Sequence, residues 1–443
     1  MLTDVLQIGS QISGVTASAC CYNLAQARVS NYIDLSTLHS FAMYSETIPV
    51  KKILLAGAIA STVSINAHAQ SSVVLYGIID EGVQYNTNAK NVVNGTNVGG
   101  RQVTLDSADG LNGSRWGLRG AEDLGNGLKA IFTLESGINV SNGAFGQGGT
   151  PFGRQAFVGL TSSRFGTLTM GRQYDSVVTY VQPVTSYGFM ATSTLFDHPG
   201  DLDNLGNTVR TNNAIKYGSP NFNGVSFGAE VSLGGQAGNV TGGGGYSAGA
   251  AYASGPITLG VGYNYFKDPT GTAGTAFFTD NQNGATILGG SLNSGYAAAT
   301  SYQVVAAGGS YKIGPATVGM TYSNTQYGNA VSGGANATFN IGEVGLKWEF
   351  KPNLYAGVTY DYTKGDSVTN ASGQTVGNQH YSQFSLVTDY LLSRRTDVYI
   401  LGTWQKASGI SSTGAPAVAN IGNQGDSSNN HQAIVRLGLR HKF

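Results

Sequence analysis

The chain has 443 residues and carries 24 basic side chains (Lys and Arg) against 24 acidic ones (Asp and Glu), so its formal net charge is zero. Charged residues form only 11% of it, less than half of the ~25% typical of soluble domains, whereas Gly contributes 65 residues and Tyr 24. A neutral chain without a visible basic face gives nucleic acid no electrostatic attraction, and the 41% hydrophobic content excludes a disordered polymer.

An amino-terminal stretch has the order of a secretory signal peptide. Lys51 and Lys52 precede an apolar run from Ile53 to Val63, and Ala67-His68-Ala69 offers small residues for cleavage before Gln70. The run is too short for a membrane-spanning helix, which needs ~20 apolar residues. We therefore expect an exported protein.

The signal peptide divides the chain into three predicted parts. Residues 50–69 are the signal peptide and 70–443 the mature chain. We interpret 1–49 as an upstream extension, with translation starting at Val50 or, as the next candidate, Met43; a long natural leader is the alternative. Both cysteines lie in the extension, so no disulfide, thiolate metal site or cysteine nucleophile is expected in the mature chain.

From Gln70 onward, the hydrophobic pattern has the period of two that is typical of strands. In the last segment Val435, Leu437 and Leu439 share one face, and Arg436 and Arg440 share the other. Strands are predicted at 73–86, 112–121, 127–138, 153–162, 166–172, 209–218, 224–234, 247–254, 256–266, 300–312, 315–325, 338–350, 353–364, 380–391, 396–406 and 430–443.

Short and long connections alternate between these strands. Asp123–Asn126 and Gly255 are turn-like, whereas Thr87–Leu111 and Lys267–Ala299 are long and rich in Gly and Asn. An even number of strands, with short turns at one end and long loops at the other, is typical of a bacterial outer-membrane barrel. The predicted fold class is therefore all-β, a 16-stranded antiparallel transmembrane β-barrel, and a barrel of about this size encloses an aqueous channel.

Strand parity assigns several charged side chains to the inside of this barrel. Arg115 and Arg119 lie on the face opposite Trp116, and Arg210 shares its parity with Lys216. Glu135 likewise opposes the apolar residues of its own strand. A charge facing lipid at mid-bilayer would cost about 2–4 kcal/mol, whereas charges in the lumen are tolerated.

Several motifs resemble those of the trimeric general porins of beta-proteobacteria. They are Gln70–Gly77, Ser114–Ala130, Arg154–Leu160 and Gly171–Gln173, together with the terminal Phe443. The resemblance implies a homotrimer among outer-membrane lipids and lipopolysaccharide, and a water-filled channel for passive diffusion of small hydrophilic solutes and ions. It also implies that Phe443 is the assembly signal read by the barrel-assembly machinery.

The resemblance further implies where the channel is narrowest. The third long connection, about 173–208, would bend into the lumen so that its acids face arginines on the opposite wall. The constriction residues are then Arg115, Arg154, Arg210, Asp197, Asp201 and Asp203. Secondary pore-lining candidates are Arg119, Arg172, Lys216 and Glu135. An anion preference is possible for such a channel.

No cofactor, metal site or catalytic residue is predicted, since His198, His380, His431 and His441 are far apart in the mature chain. Three alternatives remain open. An outer-membrane barrel hydrolase could use His198 beside Asp197, a surface adhesin or phage receptor could use the long loops, and a soluble secreted sandwich would show the same alternation.

Overall fold

The computed structural model describes residues 71–271, 277–278, 288–331, 334–370 and 372–443. The upstream extension and the signal peptide predicted over 1–69 lie outside the described residues. So does the central part of the long connection predicted at Lys267–Ala299.

Sixteen antiparallel strands in the described residues close a barrel, which confirms the predicted fold class and strand number. The strands are β1 Ser72–Ala89, β2 Arg115–Gly125, β3 Leu128–Gly137, β4 Gln155–Ser162, β5 Gly166–Gln173, β6 Thr211–Gly218, β7 Val225–Ser232, β8 Gly245–Ser254, β9 Ile257–Lys267, β10 Ser301–Ile313, β11 Ala316–Gly328, β12 Ala337–Lys351, β13 Leu354–Gly365, β14 His380–Leu391, β15 Thr396–Ser408 and β16 His431–Lys442. The barrel closes where β16 pairs with β1, from Ile78 opposite Lys442 to Asn86 opposite Ile434.

Smaller elements lie in the long connections. A strand over Gly100–Asp106 pairs with the C-terminal half of β1. Two further pairs consist of two-residue strands: Val92–Val93 pairs with Thr96–Asn97, and Val368–Thr369 pairs with Thr375–Val376. The helices are α1 Ser176–Tyr180 and α2 Ser186–Phe189, a helical turn at Gly146–Gly149, and 3-10 turns at Gln182–Val184, Thr194–Phe196, Pro199–Asp201, Ser294–Tyr296 and Gly422–Gln424. None of these described helices is long and apolar enough to cross a membrane.

The alternation predicted from the sequence separates the two faces of the barrel wall. On β16, Leu437 and Leu439 are exposed on the outside, whereas Arg436 and Gln432 are buried inside. Closed antiparallel pairing satisfies the backbone of each strand, and the outward apolar residues can then face lipid.

The connection between β5 and β6, Tyr174–Arg210, folds into the barrel and is largely buried there. We call it the inner loop. Its helices begin at capping residues: Asp175 accepts from the backbone N of Val178, and Thr185 accepts from that of Gly188. Tyr180 passes so close to the wall that a Cβ on Gly260 would lie 2.1 Å from its carbonyl oxygen. The wall glycine is therefore a condition for the inward course of the loop.

Apolar side chains fill the space between the inner loop and the wall formed by β9 to β12. Phe278, Tyr302 and Tyr327 are buried there, with ring centroids 5.0 to 6.5 Å apart, and the buried Phe266 belongs to the same cluster. Leu202 of the inner loop belongs to the same cluster. This packing attaches the loop to the wall formed by β9 to β12.

Candidate pore constriction

A cavity of about 310 Å³ separates the inner loop from the wall of β2 and β3. Arg115 lies at the start of β2, Arg154 directly precedes β4, and Arg210 directly precedes β6. These three arginines line the cavity together with Tyr187 and Thr208 of the inner loop and Asn423 of the last connection. We call it the arginine cavity. The structure thus brings together the three arginines that the sequence singled out.

Backbone carbonyls and ring faces orient two of the guanidinium groups. Arg115 donates its Nε to the carbonyl of Gly113 at 3.2 Å, and Arg210 donates Nη1 to the carbonyl of Thr208 at 2.9 Å. The guanidinium of Arg210 also lies 5.9 Å from the ring centroid of Tyr174. These contacts hold the side chains without neutralising their charge.

The third guanidinium meets a carboxylate of the wall. Arg154 donates Nε to Oε1 of Glu135 at 2.8 Å. Glu135 also accepts from the hydroxyl of Tyr76 at 2.9 Å and from that of Tyr174 at 3.2 Å. Glu135 is therefore placed beside the arginine cluster, and it balances one of the three positive charges.

The two arginines that flank strands differ in their pKa. Burial alone would lower the pKa of Arg154, but Tyr174 and the carboxylate of Glu135 raise it above its ordinary value. Burial, and then the neighbouring charge of Arg154, lower the pKa of Arg210 to about 10. Both groups remain cationic at neutral pH.

The three acids of the inner loop do not lie opposite the arginines, as the sequence predicted, but within the buried part of the loop. Asp203 is fully buried, with its Oδ2 2.7 Å from Nδ1 of His198, and it also accepts from the hydroxyl of Ser323 on β11. Asp201 accepts from the backbone N of Gly206 at 2.7 Å and of Thr208 at 2.9 Å. The carboxylate of Asp197 is buried against Gly206.

Asp197, Asp201 and Asp203 therefore do not line the arginine cavity. The physical reason for Asp201 and Asp203 is that a carboxylate carried into a closed interior turns toward available donors, and the loop supplies these from its own backbone and from His198. The acid that pairs with an arginine of the cavity is Glu135, which was predicted only as a secondary pore-lining residue.

Charge interactions within the loop shift the pKa values of this buried group. Burial would lower the pKa of His198, but Asp203 raises it to about 10, and the imidazolium in turn keeps the pKa of Asp203 below its usual range. Burial, and then the charge of Asp203, raise the pKa of Asp201 to about 7. The ion pair of His198 with Asp203 thus lies within the inner loop, and the bond from the hydroxyl of Ser323 to the same carboxylate connects the loop to β11.

The other secondary candidates surround the cavity without lining it. Arg119 lies inside the barrel, with its guanidinium 5.3 Å from the ring centroid of Tyr76. Arg172 donates Nε to the carbonyl of Gly153 at 2.8 Å. Lys216 donates Nζ to the carbonyl of Tyr174 and to the hydroxyl of Thr179, both at 2.6 Å, and so fastens the start of the inner loop.

Three connections meet at Asp109, a junction that is not predicted from the sequence. This buried carboxylate accepts from the hydroxyl of Thr194 in the inner loop and from the amides of Asn423 and Gln424 in the last connection. Burial, and then the charge of Asp106, raise the pKa of Asp109 to about 6. Periodicity carries no signal for such a junction, because the partners of Asp109 are 85 to 315 residues away in the chain.

Within the described part of the chain, no group of three or more His, Cys, Asp or Glu side chains is arranged to hold a metal ion. A sequence model described as Gram-negative porin matches residues 55–409. The chain belongs to the Gram-negative porin family. This porin is an outer-membrane protein whose barrel forms a channel for the passive diffusion of small hydrophilic solutes and ions.

Individual relatives agree with this assignment. An outer membrane porin protein of Bordetella pertussis is 32% identical over 81% of this chain and 94% of its own. Among solved structures, the anion-selective porin from Comamonas acidovorans has a TM-score of 0.62 at 22% identity, with 84% of this chain and 100% of that chain covered. The trimer form of OmpT from Vibrio cholerae has a TM-score of 0.55 at 14% identity, with 84% and 99% covered. The two structures share the fold.

Proposed function

We propose that this porin is an anion-preferring diffusion channel whose constriction is the arginine cavity. The observation that carries the proposal is the lining itself, which holds Arg115, Arg154 and Arg210 and no carboxylate among its described residues. Glu135 lies beside this lining and pairs with Arg154 alone among the three arginines. The balance of charge at the narrow point is positive.

Such a constriction selects by charge and by size without any catalytic step or cofactor. Fixed positive charge in a narrow space raises the local concentration of anions, because water and salt screen it poorly there. The inner loop occupies the opposite side of the passage and limits the size of solutes. The solved relative from Comamonas acidovorans, which is described as anion-selective, supports the choice of sign.

We also propose that the channel is a homotrimer among outer-membrane lipids and lipopolysaccharide, inserted by the barrel-assembly machinery. The trimer form solved for the Vibrio cholerae protein supports this assembly. Phe443 is the proposed assembly signal. It extends the closing ladder, since its backbone N donates to the carbonyl of Gly77 at 3.0 Å and its carbonyl accepts from the N of Gly77 at 3.2 Å.

The test is the reversal potential of the purified protein in a planar bilayer under a tenfold KCl gradient. We expect the sign of the reversal potential to correspond to chloride permeating faster than potassium. We expect this preference for chloride to be larger at low salt than at 1 M. Liposome swelling with sugars of increasing size measures the exclusion limit in parallel. A preference for potassium at low salt would contradict the proposal that the arginine cavity is the constriction. Absence of conductance would contradict the proposal that the channel is open.

A further inference from the structure

A second cavity lies between the inner loop and the end of the barrel that carries the short turns. Its volume is about 330 Å³, and its lining includes Met190 and Thr192 of the inner loop, Tyr355 of β13, and charged side chains of β12, β14 and β16. We call it the Tyr355 cavity. Thr192 also lines the arginine cavity, so a solute that passes Thr192 moves from one cavity to the other. In barrels of this kind the short turns face the periplasm.

The Tyr355 cavity carries charges of both signs. Its charged lining residues are Lys347, Lys351, Arg440, Glu349 and Asp389. Arg440 also donates Nη2 to Oδ2 of Asp397 at 2.8 Å, so the positive and negative groups at this cavity are equal in number. The arginine cavity differs, since its described lining residues include no carboxylate.

Contacts around the ring of Tyr355 fix several of these charged groups. The Nζ of Lys347 lies 4.3 Å from the ring centroid of Tyr355 and 3.4 Å from Oε1 of Glu349. Arg440 donates Nη1 to Oδ1 of Asn112 at 2.6 Å, and its Nη2 lies 3.7 Å from Oδ2 of Asp389. The charges are therefore held in place before a solute arrives.

One carboxylate oxygen at the cavity accepts no hydrogen bond from the described residues. This atom is Oδ1 of Asp389, a residue that is only 1% exposed. Tyr355 is its neighbour across the strand ladder, but the hydroxyl of Tyr355 donates to the carbonyl of Met190 at 2.9 Å. Buried polar atoms are normally hydrogen-bonded, so this oxygen favours a solute that brings a donor.

The chemistry that fits this lining is that of a small zwitterion. A primary ammonium group can donate to Oδ1 of Asp389, and a carboxylate can accept from Nζ of Lys351 at the end of β12. The two residues are on strands about 10 Å apart, because β13 separates β12 from β14. A solute with a single charge would meet a like charge, since Lys351 repels a simple cation and Asp389 repels a simple anion.

Apolar side chains complete the lining and determine the kind of zwitterion. Met190 of the inner loop, Leu354 of β13 and Leu391 of β14 line the same cavity. A volume of about 330 Å³ is at the lower end of the range of ligand sites, ~300–1,000 Å³, so the cavity holds one small molecule. The lining therefore favours a zwitterionic group that carries an apolar side chain.

We propose that the Tyr355 cavity is a binding site for α-amino acids with apolar side chains, which occupy it on their way through the channel. Asp389 receives the ammonium group and Lys351 the carboxylate, while Met190 and the two leucines contact the side chain. This inference rests on the proposed diffusion channel and adds a class of solute that the arginine cavity does not select.

Two probes with the same apolar side chain test the proposal in a planar bilayer. L-Leucine is a zwitterion, whereas L-leucinamide has the ammonium group but no carboxylate. Each is added on the side of the short turns, and its dissociation constant is obtained from the interruptions of the single-channel current. We expect leucine to bind several-fold more tightly than leucinamide. Equal affinities would overturn the proposed zwitterion site.

Conductance separates the failure of this site from the failure of the channel. A parent protein that conducts ions, but whose current leucine does not interrupt, would overturn the binding site and leave the proposed diffusion channel standing. A parent protein without conductance would instead overturn the proposed channel.

Two substitutions assign the two ends of the solute. Asp389→Asn keeps the shape of the side chain but removes its charge, so leucine and leucinamide should both bind several-fold more weakly. Lys351→Gln, at an exposed position, should weaken the binding of leucine several-fold and should not weaken that of leucinamide. Asp123→Asn, at the exposed end of β2, is the control and should bind both probes like the parent. Unchanged binding of leucine in either Asp389→Asn or Lys351→Gln would overturn the proposal.

Discussion

The Nε of Arg154 donates to Oε1 of Glu135 at 2.8 Å, which fixes one guanidinium of the arginine cavity against the barrel wall. The other two arginines of the lining are oriented by backbone carbonyls instead. The fixed charge at the proposed constriction therefore depends on the balance between three arginines and one wall carboxylate.

Removal of all three guanidinium groups should abolish the anion preference. In Arg115→Ala/Arg154→Ala/Arg210→Ala the carboxylate of Glu135 remains, so the reversal potential should move toward potassium. The shift should be largest at ~0.01 M salt, where the Debye length is ~30 Å, and small at 1 M, where it is ~3 Å. Arg164→Ala is the control, since this exposed arginine lies in the turn between β4 and β5. A potential identical to that of the parent at low salt would contradict the assignment.

Loss of the wall carboxylate should have the opposite effect. Glu135→Gln leaves three positive charges without the neighbouring negative one, so chloride preference at low salt should increase. Glu349→Gln removes a carboxylate that is paired with Lys312 and Lys347 near the end of β12, and it should change the potential much less. If both variants behaved alike, the field of the whole barrel, and not Glu135, would determine selectivity.

The sequence could predict the barrel because alternation is a local pattern, and the same alternation shows which face of β2 carries Arg115. Arg154 and Arg210 were predicted inside strands and lie directly before them, and Arg154 was singled out by a motif that resembles those of porins. The placement of Asp203 could not be predicted, because it depends on Ser323, 120 residues away, and on a loop conformation that alternation does not encode. The same holds for Asp109, whose partners come from two other connections.

Deletion of Ser193–Asn204 should widen the channel while the barrel still forms. This segment carries buried apolar residues, among them Leu195 and Leu202, but no strand of the wall. The deleted protein should admit oligosaccharides that the parent excludes in liposome swelling. An unaltered exclusion limit would show that the inner loop does not limit solute size.

A single substitution in the same segment should loosen the inner loop without shortening it. Asp203→Asn removes a charged acceptor of both His198 and Ser323, and hydrogen bonds to charged groups contribute about 1.5–3 kcal/mol. Single-channel records should become noisier, with added conductance levels. Asp268→Asn, in the connection after β9, serves as the control because Asp268 does not line the arginine cavity. A record as quiet as that of the parent would contradict the role of this ion pair.

Removal of the terminal residue should impair barrel closure. Without Phe443, both backbone hydrogen bonds to Gly77 are lost, together with a ring so close to Gly77 that a Cβ there would lie 2.3 Å from it. The yield of folded, heat-modifiable protein in the outer membrane should fall at high expression. Phe443→Tyr keeps the ring and the backbone contacts and should assemble normally. If the deletion variant also assembled normally, Phe443 would not be required for assembly.

Selectivity should also depend on pH through Asp109. The preceding residue, Ala108, lines the arginine cavity, and so does Thr194 of the inner loop, which donates to the carboxylate of Asp109. Its pKa is raised to about 6, so the carboxylate is charged at pH 8 and mostly neutral at pH 5. Protonation removes a negative charge near the three arginines, and the preference for chloride should therefore increase as the pH falls through about 6. Asp109→Asn should show the higher preference for chloride at both pH values, whereas Asp123→Asn, at the exposed end of β2, should leave the pH dependence of the channel as in the parent. Asp201, with a pKa of about 7, titrates nearby, so Asp201→Asn is measured in parallel. If the pH dependence survives in Asp109→Asn and disappears in Asp201→Asn, the titrating group belongs to the inner loop and not to the junction of the three connections.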